Sequence, residues 1–232
     1  MERTVVPENF SFRMTDEEYR VLEKIKNSIP VCYLADHADF ALGIVTGNNK
    51  KFLSAEKTEN SEMVLKGTDI CKYHINPVKQ YLRFEPEQFQ QVAPLEIYRA
   101  PEKLLYRFIS NQLVVAYDDR QMLSLNSCNI VIPKIEGMQI KYILAILNSS
   151  VSQFVYQKEF HSIKVLRAHM EHIPIPRVGK AIQNEIIAMT EPLICGMGKE
   201  AAETCQKRLD CRIMDLFRLS AEEQWVIRHA LH

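Results

Sequence analysis

The 232-residue chain carries no net charge, with 29 Lys+Arg against 29 Asp+Glu, and it has only seven glycines. Charge balance excludes a global field that would draw the molecule to nucleic acid or to an anionic membrane, so any such surface must be a local patch. The six cysteines, Cys32, Cys71, Cys128, Cys195, Cys205 and Cys211, are scattered without a C-x-x-C pair. That spacing supports neither a zinc site nor a disulfide framework, and reduced thiols in a cytoplasmic protein are the expectation. No apolar run approaches the roughly 20 residues a bilayer span requires, so no membrane partner is expected.

Catalytic signatures are missing as well. There is no H-E-x-x-H, and His169 and His172, three apart, read as structural or solvated. G-x-S-x-G, G-x-x-x-x-G-K-[ST] and G-x-G-x-x-G are all absent, which removes serine-hydrolase, P-loop and dinucleotide readings. No Glu-x-Lys ends a nuclease core, and Asn76-Pro77 is followed by Val78 rather than by a proline and an aromatic. Asp118-Asp119 is expected as a solvated turn closing a strand. The reading is therefore no catalytic residue, no metal ligand and no cofactor in this chain.

What is present supports a folded core, since 47% of residues are hydrophobic. Thr15 followed by Asp16-Glu17-Glu18 caps a helix over 15–28 that Pro30 closes. Val31–Leu34 and Phe40–Val45 read as short strands, the second running into the polar turn Thr46-Gly47-Asn48-Asn49-Lys50-Lys51. From Ile97 to Ile132, β-branched and aromatic content predicts three antiparallel strands at 104–109, 113–117 and 129–132, with Ser110-Asn111-Gln112 turning a hairpin.

The stretch from Gln139 to Pro176 opens with Ile140, Ile143, Leu144 and Leu147 at helical spacing, and Asn148-Ser149-Ser150 stops that helix. Val151 to Phe160 reads as an aromatic run of strand character, with Phe154, Tyr156 and Phe160 in the core, leading to a polar edge at Ser162 to Leu166. Pro174 and Pro176 mark the end of the compact unit. Ile182, Ile186, Met189, Leu193, Leu209, Ile213 and Leu216 then predict a separate helical tail, ending in a helix with Ser220-Ala221-Glu222-Glu223 as its capping box. The expected class is α+β, with mostly antiparallel strands, packed helices and a C-terminal helical segment.

Four segments in order, Gly43–Lys50, Lys66–Ile70, Pro101–Arg107 and Leu147-Asn148-Ser149 through Ile173–Pro176, resemble the TaqI-like C-terminal specificity domain. The resemblance covers about 29–177, leaving 1–28 as an N-terminal helix and junction and 178–232 as the tail. It implies a target-recognition module for double-stranded DNA, serving an adenine-specific methyltransferase, alone or fused to a nuclease, in a restriction-modification system. S-adenosylmethionine is then expected on that catalytic domain, in the parent polypeptide or a separate subunit. Under this resemblance Lys50, Lys51, Lys66, Lys72, Arg107, Lys158 and Lys164 are phosphate candidates, and Asn48, Asn49, Arg99 and Ser162 face bases or backbone, with Thr46 in the same loop. The competing reading is a helical assembly module without DNA reading of its own, with a homodimer through the tail.

Overall fold

The computed structural model describes residues 14–160 and 162–231, so the first thirteen residues of the expected junction lie outside it. In chain order, α1 (Asp16–Asn27) leads to β1 (Val31–Cys32) and β2 (Ala38–Ala41). A short α2 (Asn49–Phe52) precedes β3 (Leu53–Ser54), β4 (Ser61–Leu65) and β5 (Tyr81–Arg83). After α3 (Leu95–Tyr98) come β6 (Lys103–Arg107), β7 (Val115–Asp118), β8 (Leu123–Ser124) and β9 (Cys128–Pro133). The C-terminal half holds α4 (Ile140–Asn148), α5 (Ser150–Phe160), α6 (Arg167–Glu171), β10 (Ile175–Pro176), α7 (Lys180–Ile194), α8 (Lys199–Leu216) and α9 (Ala221–Ala230). The α+β class expected from the sequence is what the chain adopts.

The centre is an antiparallel sheet in the order β2-β9-β6-β7, with Phe40 and Leu104 both opposite Val131 and Leu105 opposite Ala116. Side chains alternate across a strand, and both faces here are covered. Leu104, Tyr106, Val115, Tyr117 and Val131 enter a core shared with the helices. Leu105, Ala116, Cys128 and Ile130 enter a second core shared with the sheet β3-β5-β4-β8. In that smaller sheet β4 pairs with β8 in parallel, the exception to an otherwise antiparallel set of strands.

Five sequence expectations need correction. The strand expected over 40–45 forms at Ala38–Ala41, while Ile44 and Val45 make single bridges to Leu125 and Gln91. The run from Val151 to Phe160 is a helix: Val151, Phe154 and Val155 recur at helical spacing and are buried against α4 and the tail. Asp118 is fully buried in an ion pair with Lys103 at 2.5 Å, and it also accepts from the amides of Arg120 and Met122, so only Asp119 is solvated.

The tail is not separate. Ile186, Leu193, Leu209, Ile213, Met214, Phe217 and Ile227 are buried in the same core as α1, α4 and α5. The prolines do not end the unit, because Ile175–Pro176 pairs with Val31–Cys32 in a two-stranded ribbon, where a missing amide donor is tolerated at an edge. Both capping boxes form as expected: Thr15 Oγ1 accepts from the Glu18 amide, and Ser220 Oγ from that of Glu223.

Candidate nucleic-acid interface

The motif glycines serve folding. A Cβ on Gly43 would lie 2.1 Å from the Leu125 carbonyl oxygen, and one on Gly67 would lie 2.4 Å from that of Ser127. The turn Leu125–Cys128 is therefore held against both segments, with Gly67 donating to Ser127 Oγ at 3.0 Å and Leu125 donating to the Leu65 carbonyl at 2.8 Å.

The expected contact residues fall into three groups. Five are engaged within the protein. Thr46 is buried and donates to Asn49 Oδ1 at 2.6 Å. Lys72 donates to the Asn148 carbonyl at 3.2 Å, and burial pushes its ammonium below the usual lysine range against the attraction of Asp210. Arg107 donates to the carbonyls of Gly67 and Ile70 at 2.8 and 2.6 Å. Arg99 spans Glu62 at 2.6 Å and the Gln121 carbonyl at 2.8 Å. Lys158 pairs with Glu18 at 2.7 Å, joining α5 to α1. These side chains hold loops and helices, a role sequence cannot reveal because their partners are mostly carbonyls and distant carboxylates.

Three more shape the local backbone. Asn48 Oδ1 accepts from the Lys51 amide at 3.2 Å and so caps α2, and Asn49 receives the Thr46 hydroxyl. Ser162 donates to the Lys164 carbonyl and accepts from its amide, making a tight turn. The remaining four are lysines open to solvent to different degrees. Lys50, Lys51 and Lys164 are exposed and Lys66 is half-buried, and among the described residues none of the four is in an ion pair.

Two of these lysines share a ledge with residues the sequence reading missed. The backbones of Val45 and Gln91 exchange hydrogen bonds at 2.9 and 3.0 Å, which lays the 45–51 loop beside Pro86–Gln91. Phe89 turns inward, edge-on to Phe52 at 5.1 Å and to Phe84 at 5.8 Å between centroids. Its neighbours Gln88 and Gln90 are exposed, and Lys51 donates to Gln88 Oε1 at 2.6 Å. The signal was the amide-rich run Glu87-Gln88-Phe89-Gln90-Gln91, whose single apolar residue anchors it.

A second exposed edge lies where Ile109 and Lys164 pair as an antiparallel bridge, with Ile109 and Ile163 both more than half exposed. His169 and His172 act structurally: the His169 ring stacks on Phe160 at 4.5 Å and accepts from the Leu166 amide. Among the described residues no cluster of three His, Cys, Asp or Glu side chains has metal-site geometry, and no helix is long and apolar enough to cross a membrane.

The chain is similar in fold to the Type IIL restriction-modification enzyme MmeI, whose structure was solved in complex with DNA, at 11% identity and a TM-score of 0.54 over 82% of this chain and 34% of that one. Weaker likenesses are to a structure of type I R-M system assembly (14%, TM-score 0.47, 93% of this chain and 51% of that one) and to the HsdS subunit from Thermoanaerobacter tengcongensis (14%, TM-score 0.44, 93% and 50%). The chain thus spans between a third and about half of these relatives. Comparison with curated proteins gives no match. The sequence model of the TaqI-like C-terminal specificity domain matches residues 62–175, which take in three of the four segments singled out above, up to Ile175, and most of the second core, β3, Ile44 and Phe52 lying before it. Over those residues, just under half of its length, the chain is similar to the TaqI-like C-terminal specificity domain.

Proposed function

We propose that this chain is the sequence-specific double-stranded DNA recognition module of a restriction-modification system. The observation that carries the reading is the specificity-domain match over residues 62–175, which takes in β6, β7 and β9 of the central sheet and most of the second core. Lys50, Lys51, Lys66 and Lys164 supply phosphate contacts, which position a duplex without reading it, and neighbouring amides supply base contacts. The chain itself contributes no catalytic group. An adenine-N6 methyltransferase domain or subunit, binding S-adenosylmethionine, acts on the target that this module selects, with or without a nuclease, in the cytoplasm. Zero net charge is compatible with this because phosphate binding is shared with that partner.

The test is selection from random duplex pools by the full chain, alone and with its methyltransferase partner. Enrichment of one sequence, with affinity that falls as salt rises, is the expected result. No enrichment in either form refutes the reading.

Assembly through the tail has its own support in an open groove between α7 and α8, lined by Met189, Pro192, Met197 and Ala201 among others. Removing the tail does not separate this reading from the first, since α8, the turn after it and α9 contribute Leu209, Ile213, Phe217 and Ile227 to the main core. A charge placed in the groove, Ala201→Glu, does separate them: a module that assembles there loses mass in solution while DNA binding by the monomer persists.

A further inference from the structure

The geometry points to Gln90, with Gln88 beside it, as the pair that reads adenine in the major groove. This rests on the duplex recognition proposed above and names the residues and the base that carry it.

Three observations converge on the ledge. Phe89, which follows a 3-10 turn over Pro86–Gln88, is drawn inward by Phe52 and Phe84, and Gln88 and Gln90 on either side of it are exposed. Gly47 has φ +74°, and a Cβ there would lie 3.4 Å from the Gln90 Cβ and 3.7 Å from its Oε1, so the 45–51 loop passes directly beside the Gln90 side chain. Among the described residues the exposed Gln90 carboxamide has no hydrogen-bond partner, so its donor and its acceptor are both available. Adenine offers the complementary pair in the major groove, an N7 acceptor and an N6 amino donor, and a carboxamide meets both at once. Gln88 is different. Its Oε1 already accepts from Lys51, which fixes the amide and turns its NH2 toward an acceptor such as thymine O4 or adenine N7. Lys50, next in the same loop and exposed, with no ion pair among the described residues, is placed to hold a phosphate of the same duplex.

The experiment is duplex selection by the full chain with its methyltransferase partner, followed by titration of the selected duplex and of single-base replacements. With Gln90→Ala, discrimination at one A·T position falls about tenfold or more while the salt slope is unchanged. With Lys50→Ala, affinity falls on every sequence and the salt slope drops by about one. Both side chains are exposed, and circular dichroism confirms that the variants fold. If the unmodified chain discriminates and Gln90→Ala and Gln88→Ala discriminate equally well, the assignment to these glutamines is overturned. If the unmodified chain fails to discriminate, the duplex-recognition reading falls and this one with it.

Discussion

The side-chain amide of Asn148 faces Val115 as a neighbouring strand would: its Oδ1 accepts from the Val115 amide at 3.1 Å and its Nδ2 donates to the Val115 carbonyl at 2.8 Å. Gln153 does the same for Leu113, at 2.9 and 3.0 Å. Two helix side chains, together with the Tyr73 backbone bridging Ala116, thus cover the β7 edge of the central sheet, a position where unpaired backbone invites pairing with other chains. The Leu147-Asn148-Ser149 segment is a helix stop, as its sequence suggests, and also an edge seal.

Asn148→Leu leaves the buried Val115 amide without an acceptor, while the Val115 carbonyl keeps the Tyr73 amide at 2.7 Å. The loss costs about 1–3 kcal/mol, read by urea denaturation, with a greater tendency to aggregate. Asn148→Asp keeps the acceptor and should fall between the two.

Gly43→Ala forces a Cβ to within 2.1 Å of a backbone oxygen that cannot swing aside. The expected cost is about 3 kcal/mol or more, read as a fall in the denaturation midpoint. Gly179→Ala, with open space at its Cβ position, is the matched control and should be near neutral.

Asp210 in α8 caps α5, accepting from the Ser150 amide and hydroxyl at 2.8 Å each. Burial pushes its carboxyl above the ordinary range, opposed by the Ser150 hydrogen bonds and the Lys72 charge. A carboxyl raised in the folded state contributes stability that is complete below its unfolded value of about 3.9 and is lost as pH rises through the folded value. Asp210→Asn should therefore flatten this decline when unfolding is followed from pH 4 upward. Asp210→Ala should cost about 1–2 kcal/mol at all pH values, because both Ser150 donors lose their acceptor.

Lys158 and Lys164 separate in behaviour. Burial acts to raise the Glu18 carboxyl, but hydrogen bonds from Lys158 and Thr15 outweigh it and hold the group below its usual range. Lys158→Ala should cost about 1 kcal/mol of stability and leave the affinity for DNA unchanged. Lys164→Ala should leave stability unchanged and, under the proposed function, weaken binding uniformly across sequences.

Local signals were legible where a residue's partners lie within a few positions. The capping boxes at Thr15 and Ser220, the hairpin of β6 and β7 and the helix of Ile140 to Leu147 all form as their spacing dictates. The helix over Ser150–Phe160 was obscured because valine and aromatic content favours strands, although Val151, Phe154 and Val155 already held the helical spacing. Lysine and arginine roles were the least legible. A long side chain reads as a surface cation until its partner is known, and for Lys72, Lys103, Arg107 and Lys158 that partner is brought in by the fold from a turn, a strand or a helix end.

The alternation of buried side chains through the central sheet has a mechanical meaning. The sheet is a wall between two compartments, one packed with helices and the other with the small sheet that carries the amide ledge. The ledge around Gln90 rests on Phe52, Phe84 and Phe89 and on the Val45–Gln91 backbone pair, all on the far side of the sheet from the helical core. The outward surface can therefore be rewritten residue by residue while the framework that presents it keeps its stability.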